Sequence, residues 1–300
     1  MNLKQYLAKR AQKVEEALQG YIPKLSPEVE ELASAMSYSL FAGGKRLRPI
    51  LALASAEAVG GDLEPVLPAA CALEFIHTYS LIHDDLPAMD DDDWRRGKPT
   101  NHKVFGEAQA ILAGDALLTH AFAILASPNG ESPAPAEKTL QVVLEIANAA
   151  GPLGMVGGQS ADIKEEGTIQ EQDAPAMLQY IHTHKTAALF RVATRVGAII
   201  ADAAPKQLAA LTLYGEKLGL AFQICDDILD ATGDPKLLGK PVKTDSQHQK
   251  LTYVTVYGLE KAKYAAEQLA DEAIEALAIF DDAAAEPLRA LARYTIERQK

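Results

Sequence analysis

The stretch "AACALEFIHTYSLIHDDLPAMDDDDWRRGKPT", residues 69–100, joins an apolar run to a dense cluster of charge. Six aspartates lie between Asp84 and Asp93, and Arg95 and Arg96 follow directly. The apolar spacing before Asp84 is typical of a helix. A lone acidic run is usually a solvated helix end, but this one continues directly from an apolar segment. We therefore interpret it as the end of a buried helix that opens into a charged site.

The composition favours an all-α protein. The chain has 300 residues, of which 48% are hydrophobic and only 6% aromatic, and long stretches with a 3.6-residue period dominate the sequence. Short segments rich in proline and glycine separate these stretches. We see no internal repeat, no long linker and no alternating run long enough for a sheet. The sequence therefore predicts one helical domain over residues 1–300.

Charge and cysteine usage limit the partners and the compartment. The net charge of −12 argues against nucleic acid or an anionic membrane as the main partner. Cys71 and Cys225 lie in apolar helical contexts without metal-ligand spacing. The first 20 residues lack the apolar region of a signal peptide, and no apolar run reaches the ~18 residues of a membrane helix. We therefore expect a cytoplasmic protein without a transmembrane segment.

The first acidic motif contains a proline. Pro87 disfavours helical geometry at Leu86, so the backbone should leave the helix there. Ideal helical phase therefore cannot say which of residues 90–93 turns back towards Asp84. Carboxylates without cysteine or histidine partners suit hard cations such as Mg²⁺.

A second acidic motif follows another apolar run, in "FQICDDILDATGD", residues 222–234. Asp226 and Asp230 are i, i+4 neighbours, and Asp227 and Asp230 are i, i+3 neighbours, so all three project from one side of a helix. Like charges at this spacing repel one another unless a cation lies among them. Two such motifs at the ends of apolar helices are harder to explain as solvated surface than one.

Basic residues follow a glycine pair in "FAGGKRLRPIL", residues 41–51. Gly43 and Gly44 can bring backbone N–H groups close to an anion. Lys45, Arg46 and Arg48 offer charges that suit phosphate oxygens. The alternative is an ordinary basic turn, and the motif is not a P-loop.

Two histidine-containing segments complete the set of candidates. In "IHTHKTAAL", residues 181–189, Lys185 and Thr186 begin an apolar stretch in which a buried lysine needs a partner. We interpret His182 and His184 as non-ligands, because i, i+2 spacing puts them on different faces. His77 shares the face of Asp84 at a distance of two turns, ~10.5 Å, although a core histidine is the default interpretation.

Carboxylates, Mg²⁺ and basic groups in one cavity would suit a diphosphate, and no triad or general-base pair is evident. The chemistry should then be metal-assisted ionisation of a C–O bond. Several motifs resemble those of the trans-polyprenyl diphosphate synthases, most closely the bacterial farnesyl diphosphate synthases, from about residue 5 to the C-terminus: "GGKRLRP", "SLIHDDLPAMDDDDWRRGKPTNH", "LAGDALL", "GMVGGQSAD", "HKTAAL" and "AFQICDDILD".

This resemblance implies a fold, a cofactor and site residues. The fold implied is the all-α isoprenoid synthase fold, with helices around a deep central cavity, and the cofactor is Mg²⁺, three ions per active site. The positions that match the metal site are Asp84, Asp90 and the supporting Asp85, then Asp226 with Asp227 and Asp230 behind it. The positions that match allylic diphosphate contacts are Arg95, Lys185, Thr186, Gln223 and Lys240, of which Lys185, Arg95 and Lys240 are the catalytic candidates. The positions that match isopentenyl diphosphate contacts are Lys45, Arg48, His77 and Arg96.

The resemblance also implies the reaction: ionisation of dimethylallyl or geranyl diphosphate, condensation with isopentenyl diphosphate, and proton loss. A homodimer is implied as well. Tyr79, five residues before Asp84, matches the position where an aromatic accompanies C15 products, and Ser80 lies beside it. One departure is Lys243, where the family usually has glycine; Asp245 and Lys250 still match.

Three alternatives remain open. A geranylgeranyl diphosphate synthase would carry the same motifs and release a C20 product. A non-catalytic subunit of a longer-chain synthase would be expected to lose one aspartate motif, and this chain keeps both. A class I terpene cyclase would normally show a different second motif and needs no second diphosphate site.

Overall fold

The computed structural model describes residues 1–127, 134–165, 172–233 and 250–297, and these form an almost entirely helical protein. The helices of the first half are α1 (Leu3–Tyr21), α2 (Glu30–Leu40), α3 (Leu47–Val59), α4 (Leu67–Asp84), α5 (Asn101–Phe105) and α6 (Glu107–Ala126). Those of the second half are α7 (Ala136–Ala150), α8 (Met155–Glu165), α9 (Ala174–Ile181), α10 (Ala188–Ile200), α11 (Pro205–Thr232), α12 (Tyr253–Tyr257), α13 (Leu259–Ala276) and α14 (Asp282–Glu297). The all-α prediction is confirmed.

Short irregular elements connect the helices. Single 3₁₀ turns lie at Pro27–Val29, Glu64–Val66 and Leu277–Ile279, and a π-helical turn, His182–Ala187, joins α9 to α10. A small antiparallel hairpin pairs β1 (Trp94–Arg95) with β2 (Lys98–Pro99). The sequence did not predict this hairpin, because strands of two residues are too short to show alternation.

Helix α4 lies in the core and carries the first aspartate motif at its C-terminal end. It packs against α3 and α6, and most of its residues are buried, from Leu67 to Ile82. Arg46, just before α3, is buried and ion-paired with Glu74 of α4 at 2.6 Å and with Glu15 of α1 at 2.7 Å. Arg46 therefore ties three helices together. Of the three cations that follow the glycine pair, Arg46 is therefore engaged in structural ion pairs, since both carboxylates compensate its guanidinium group.

Glycines allow close helix packing at two contacts. A Cβ atom added to Gly197 of α10 would lie 2.0 Å from the carbonyl oxygen of Ala52 in α3. One added to Gly158 of α8 would lie 2.2 Å from the backbone nitrogen of Lys185. The second contact brings the glycine-rich segment "GMVGGQSAD", residues 154–162, against the π-helical turn. This contact positions the turn beside α8.

Within the described residues, three stretches are long and apolar enough to cross a membrane by length and composition alone: Glu64–Asp84, Glu107–Ala126 and Ala136–Glu165. The sequence analysis missed them because polar residues interrupt each run. The window in the first stretch is 72% buried within the protein, against 39% and 33% for the other two. The first stretch is thus a core helix, while α6, α7 and α8 leave apolar side chains exposed.

Replacing Gly197 by alanine should destabilise the protein by about 1–3 kcal/mol or more, because the backbone of α3 cannot move aside. Gly20→Ala is the matched control: nothing lies within 4 Å of its added Cβ atom, and alanine favours a helix over glycine by ~0.8–1 kcal/mol. Denaturant unfolding monitored by circular dichroism measures both variants. A Gly197→Ala variant as stable as the parent would contradict the close packing of α3 and α10.

Candidate active site

The chain turns sharply after α4 and brings Asp90 back to Asp84. The backbone N–H of Asp90 donates to the carbonyl oxygen of Asp84 at 2.9 Å, and that of Asp91 donates to Leu86 at 3.1 Å. The helix thus ends beside Pro87, as the proline predicts. The turn resolves what helical phase left open, because Asp90 is the aspartate that hydrogen-bonds back to Asp84.

The carboxylates of this turn lie in an environment that resists negative charge. Burial raises the pKa of Asp84 to about 6. Burial likewise raises the pKa of Asp85 to about 6, although Arg95 opposes the shift by donating its Nε–H to Asp85 at 2.6 Å. Burial disfavours the charge of Asp90 as well, but the ammonium group of Lys250, 2.8 Å away, outweighs it and lowers the pKa. A cation beside Asp84 would stabilise its charged form.

The second aspartate motif lies in α11, where Asp227 and Asp230 are buried and Asp226 is half-buried. Asp227 accepts hydrogen bonds from the Gln223 side chain at 2.9 Å and from the Tyr253 backbone N–H at 2.6 Å. The Nε2 atom of His182 lies 3.3 Å from the same carboxylate. Asp227 therefore connects α11 to the π-helical turn and to the start of α12.

His182 was excluded as a ligand on its spacing, and the sequence held no sign of this contact. Its partner is distant in the chain, and the π-helical turn that aims the imidazole at α11 leaves no recognisable periodicity.

Lys185 and Thr186 project from the π-helical turn. Although burial disfavours its charge, Lys185 has a raised pKa because Asp162 and Asp84 lie nearby. Its Nζ atom donates to Asp162 of α8 at 2.6 Å. The Thr186 hydroxyl donates to the side-chain oxygen of Gln223 at 2.5 Å. Asp162 lies in the segment "GMVGGQSAD", residues 154–162, but the sequence does not mark it as a site residue. Only its contact with Lys185 distinguishes it from other acidic residues.

Basic residues gather at the start of α3. Burial lowers the pKa of Arg48 to about 10, and its guanidinium group lies 5.0 Å from the Phe190 ring centroid. Burial and the charge of Arg48 lower the pKa of His77 well below its ordinary value, so the imidazole is neutral.

The glycine pair before this cluster holds an arginine from the hairpin. Arg96 donates to the carbonyl oxygen of Gly43. A Cβ atom on Gly44 would lie 2.7 Å from the Arg96 guanidinium carbon, and the positive φ of 133° at this position favours glycine. Lys45 lies on the other side of the loop, 5.7 Å from the Tyr294 ring centroid.

A cavity of about 470 Å³ is lined by residues from the first aspartate motif, the start of α3 and the π-helical turn. Its charged or polar lining includes Arg48, His77, Asp84, Lys185 and Thr186, and its apolar lining includes Leu81, Met89, Met155, Val156 and Ile163. Both side-chain amide atoms of Gln159, which also lines the cavity, are buried, and neither has a hydrogen-bond partner among the described residues. The site therefore combines charge at one end with an apolar wall suited to a hydrocarbon chain.

Tyr79 narrows this cavity one turn below Asp84. The side chain is almost fully buried, at 5% exposure, and its ring packs edge-on against His83 with centroids 5.7 Å apart. His83 Nε2 lies 3.1 Å from the carbonyl oxygen of Ile111 in α6. Ser80 donates its hydroxyl to the carbonyl oxygen of His77 at 2.9 Å. The ring against which Tyr79 packs is thus itself linked to α6.

Lys240, a predicted contact of the allylic diphosphate, lies outside the described residues, as do Lys243 and Asp245. The other predicted site residues lie in the C-terminal halves of α4 and α11, in the turn after α4, on the hairpin, before and at the start of α3, or on the π-helical turn.

A helical protein with one aspartate motif and several cations in the wall of a partly apolar cavity, and a second aspartate motif joined to the same π-helical turn, has the features of an enzyme that handles diphosphate esters of hydrocarbon chains. The sequence model of the Polyprenyl synthetase family matches residues 29–286, and the chain belongs to this family. The chain is thus a prenyltransferase, and the isoprenoid synthase fold is confirmed.

Relatives in this family differ in the product that their names give. A dimethylallyltranstransferase from Fischerella ambigua is 49% identical over 99% of this chain and 84% of its own length. A farnesyl diphosphate synthase from Geobacillus stearothermophilus is 49% identical over 88% of this chain and 87% of its own length. The crystal structure of a geranylgeranyl pyrophosphate synthetase from Pyrococcus horikoshii superposes with a TM-score of 0.87 at 32% identity, covering 99% of this chain and 100% of that one. The comparisons therefore leave the chain length of the product open.

Proposed function

We propose that the protein is a farnesyl diphosphate synthase, which condenses isopentenyl diphosphate with dimethylallyl and then geranyl diphosphate to a C15 product. The observation that carries the proposal is the buried ring of Tyr79, five residues before Asp84 in the wall of the cavity. An extended isoprene unit is about as long as one helical turn, ~5.4 Å, so a growing chain meets this ring after few additions.

The two aspartate motifs are the proposed magnesium site. The donor set consists of carboxylates, which suits Mg²⁺, and the raised pKa of Asp84 fits a carboxylate whose charge a nearby cation would stabilise. When bound, Mg²⁺ would neutralise the allylic diphosphate and assist its departure. Asp84 and Asp90 would hold Mg²⁺ at the first motif, and Asp226 would hold a further ion at the second. Asp85 and Asp227, already engaged by Arg95 and by Tyr253, would position these ligands.

The cations on this side of the cavity would bind the allylic diphosphate. Lys185 keeps its charge despite burial, so it can stabilise the departing diphosphate. Arg95, Thr186, Gln223 and Lys240 complete the proposed contacts. The apolar cavity wall would exclude water, which otherwise quenches the allylic cation.

Isopentenyl diphosphate would bind across the cavity, against Lys45, Arg48, His77 and Arg96. Arg48 is a half-buried cation whose buried Nε atom has no hydrogen-bond partner among the described residues. An anion is the partner that such a group favours. A neutral His77 can donate to a phosphate oxygen without adding to the local repulsion between cations.

A geranylgeranyl diphosphate synthase is the second candidate. The relative of known structure with the TM-score of 0.87 carries that name, and Ser80, beside Tyr79, is small enough to let a chain pass. The two candidates share the site and differ only at the cavity floor.

We further propose one domain over residues 1–300, a homodimer and a cytoplasmic location. Both cysteines are buried and neither forms a disulfide, which suits a reducing compartment. Exposed apolar side chains on neighbouring helices support the dimer: Ile111 and Leu112 on α6, Leu140 and Leu144 on α7, and Leu153 and Val156 near the start of α8. Sedimentation at micromolar concentration should give twice the 32.2 kDa chain mass, and an active monomer would contradict the dimer.

Asp84→Ala and Asp226→Ala should each lower turnover by ~10²–10³, because each removes a preorganised ligand of the metal and diphosphate. Circular dichroism should show an intact fold. Asp271→Ala on the exposed face of α13 is the control and should keep parental activity. Parental turnover at limiting Mg²⁺ in either site variant would show that the ligands are misassigned.

Lys185→Ala and Arg48→Ala should give different kinetic defects. The first should slow ionisation, and so should increase the sensitivity of turnover to fluorine on the allylic substrate. The second should mainly raise KM for isopentenyl diphosphate with little change in kcat. Steady-state kinetics with both allylic substrates separates the two, and the same defect in both variants contradicts the division of roles.

Tyr79→Ala should convert the C15 product to C20 or longer, because the ring no longer blocks the cavity. Tyr79→Phe is the matched control: it keeps the ring and should still release C15. Chromatography of labelled products measures both. A C20 product from the parent would favour the second candidate, whereas C15 from a folded Tyr79→Ala variant would place the floor elsewhere.

A further inference from the structure

A third group of potential ligands lies just beyond the first aspartate motif. A ring nitrogen of His102 and carboxylate oxygens of Asp91 and Asp93 all lie within 4.8 Å of one another. Both aspartates are exposed, whereas His102 is 7% exposed. Exposed carboxylates are common without a bound ion, so His102 is the residue that points to a metal site.

Thr100 fixes the protonation of this imidazole. The Thr100 hydroxyl donates its one hydrogen to the carbonyl oxygen of Asp92 at 2.7 Å, and the same oxygen lies 3.2 Å from Nδ1 of His102. Because that hydrogen is already engaged, the hydroxyl accepts from the imidazole, so Nδ1 carries a proton. In the neutral ring, Nε2 then holds a lone pair.

This lone pair is unsatisfied. Nε2 is buried and has no hydrogen-bond partner within the part of the chain that the structure describes. Ionised carboxylates such as those of Asp91 and Asp93 cannot donate to it, and a buried acceptor without a partner is unfavourable. A cation would satisfy the nitrogen and reduce the repulsion between the two carboxylates together.

We propose that Asp91, Asp93 and His102 bind one divalent first-row transition-metal ion of the Zn²⁺ type. One imidazole and two carboxylates suit such an ion better than Mg²⁺, which favours oxygen ligands. An imidazole whose other N–H is held by a neighbouring oxygen, here that of Thr100, is the usual state of a metal-bound histidine.

The proposed site is distinct from the magnesium site. Asp90 pairs with Lys250, while the next residue, Asp91, groups with His102. The backbone N–H of Thr100 also donates to the carbonyl oxygen of Asp93 at 3.0 Å, closing the base of the hairpin β1–β2. An ion at this base would brace the hairpin that carries Arg95 and Arg96.

The Lys103 ammonium group, 2.7 Å from the Asp93 carboxylate, competes with an incoming cation. Both groups are exposed, so solvent screens this ion pair. Removing the charge of Lys103 should therefore tighten the binding of a metal ion at Asp93.

The test is a titration of the metal-free protein with Co²⁺ in excess Mg²⁺, above the ordinary pKa of histidine. Excess Mg²⁺ occupies sites built from oxygen alone, and Co²⁺ bound to nitrogen and oxygen gives a visible absorption band. We expect one Co²⁺ per chain, displaced by Zn²⁺. Absence of the band in the parent overturns the proposal.

Variants identify the ligands. His102→Gln and Asp93→Asn should each weaken Co²⁺ binding at least about 10–100-fold. Asp93 is exposed, so Asp93→Asn should fold and still tests the site if His102→Gln does not fold. His120→Gln, outside the cluster, should bind as the parent does, and Lys103→Gln should bind more tightly. Parental affinity in both ligand variants, or loss of binding in Asp84→Asn instead, contradicts the proposed site.

Discussion

The structure depends on placing carboxylates where water does not stabilise their charge. Asp84 and Asp85 end a helix that is buried along most of its length, and burial raises the pKa of each to about 6. A carboxyl group in this setting favours a nearby cation strongly. Asp85 has Arg95 as its cation. For Asp84, the charge of Lys185 acts at longer range. We propose that Mg²⁺ neutralises the rest of the Asp84 charge.

The surrounding helices serve to hold this charge in place. The buried ion pairs of Arg46 with Glu15 and Glu74 fix α4 against the helices on either side. The contact of Gly158 with the π-helical turn brings Lys185 to Asp162. On α11, Asp227 joins that turn to α12. Binding of a metal ion and a diphosphate would therefore act on a framework whose cations and carboxylates are already oriented, which lowers the reorganisation needed for ionisation.

Much of this arrangement could be predicted from sequence, because its signals are local. Apolar periodicity gave the long helices, and the spacing of Asp226, Asp227 and Asp230 gave their shared helix side. The missing parts depend on tertiary contacts. Arg46 has the same motif context as Arg48 and differs only in the carboxylates that fold against it. His182 and Asp162 act through partners on other helices, and the π-helical turn that aims Lys185 has no periodic pattern of its own.

The most direct test of this account is a crystal structure of the protein with Mg²⁺ and an unreactive thiolo analogue of dimethylallyl diphosphate. The account predicts three Mg²⁺ ions joining the diphosphate to Asp84 and Asp90 on one side and to Asp226 on the other, with Lys185 on the diphosphate and the hydrocarbon directed towards Tyr79. A diphosphate bound away from both aspartate motifs, or ions held by only one of them, would contradict it.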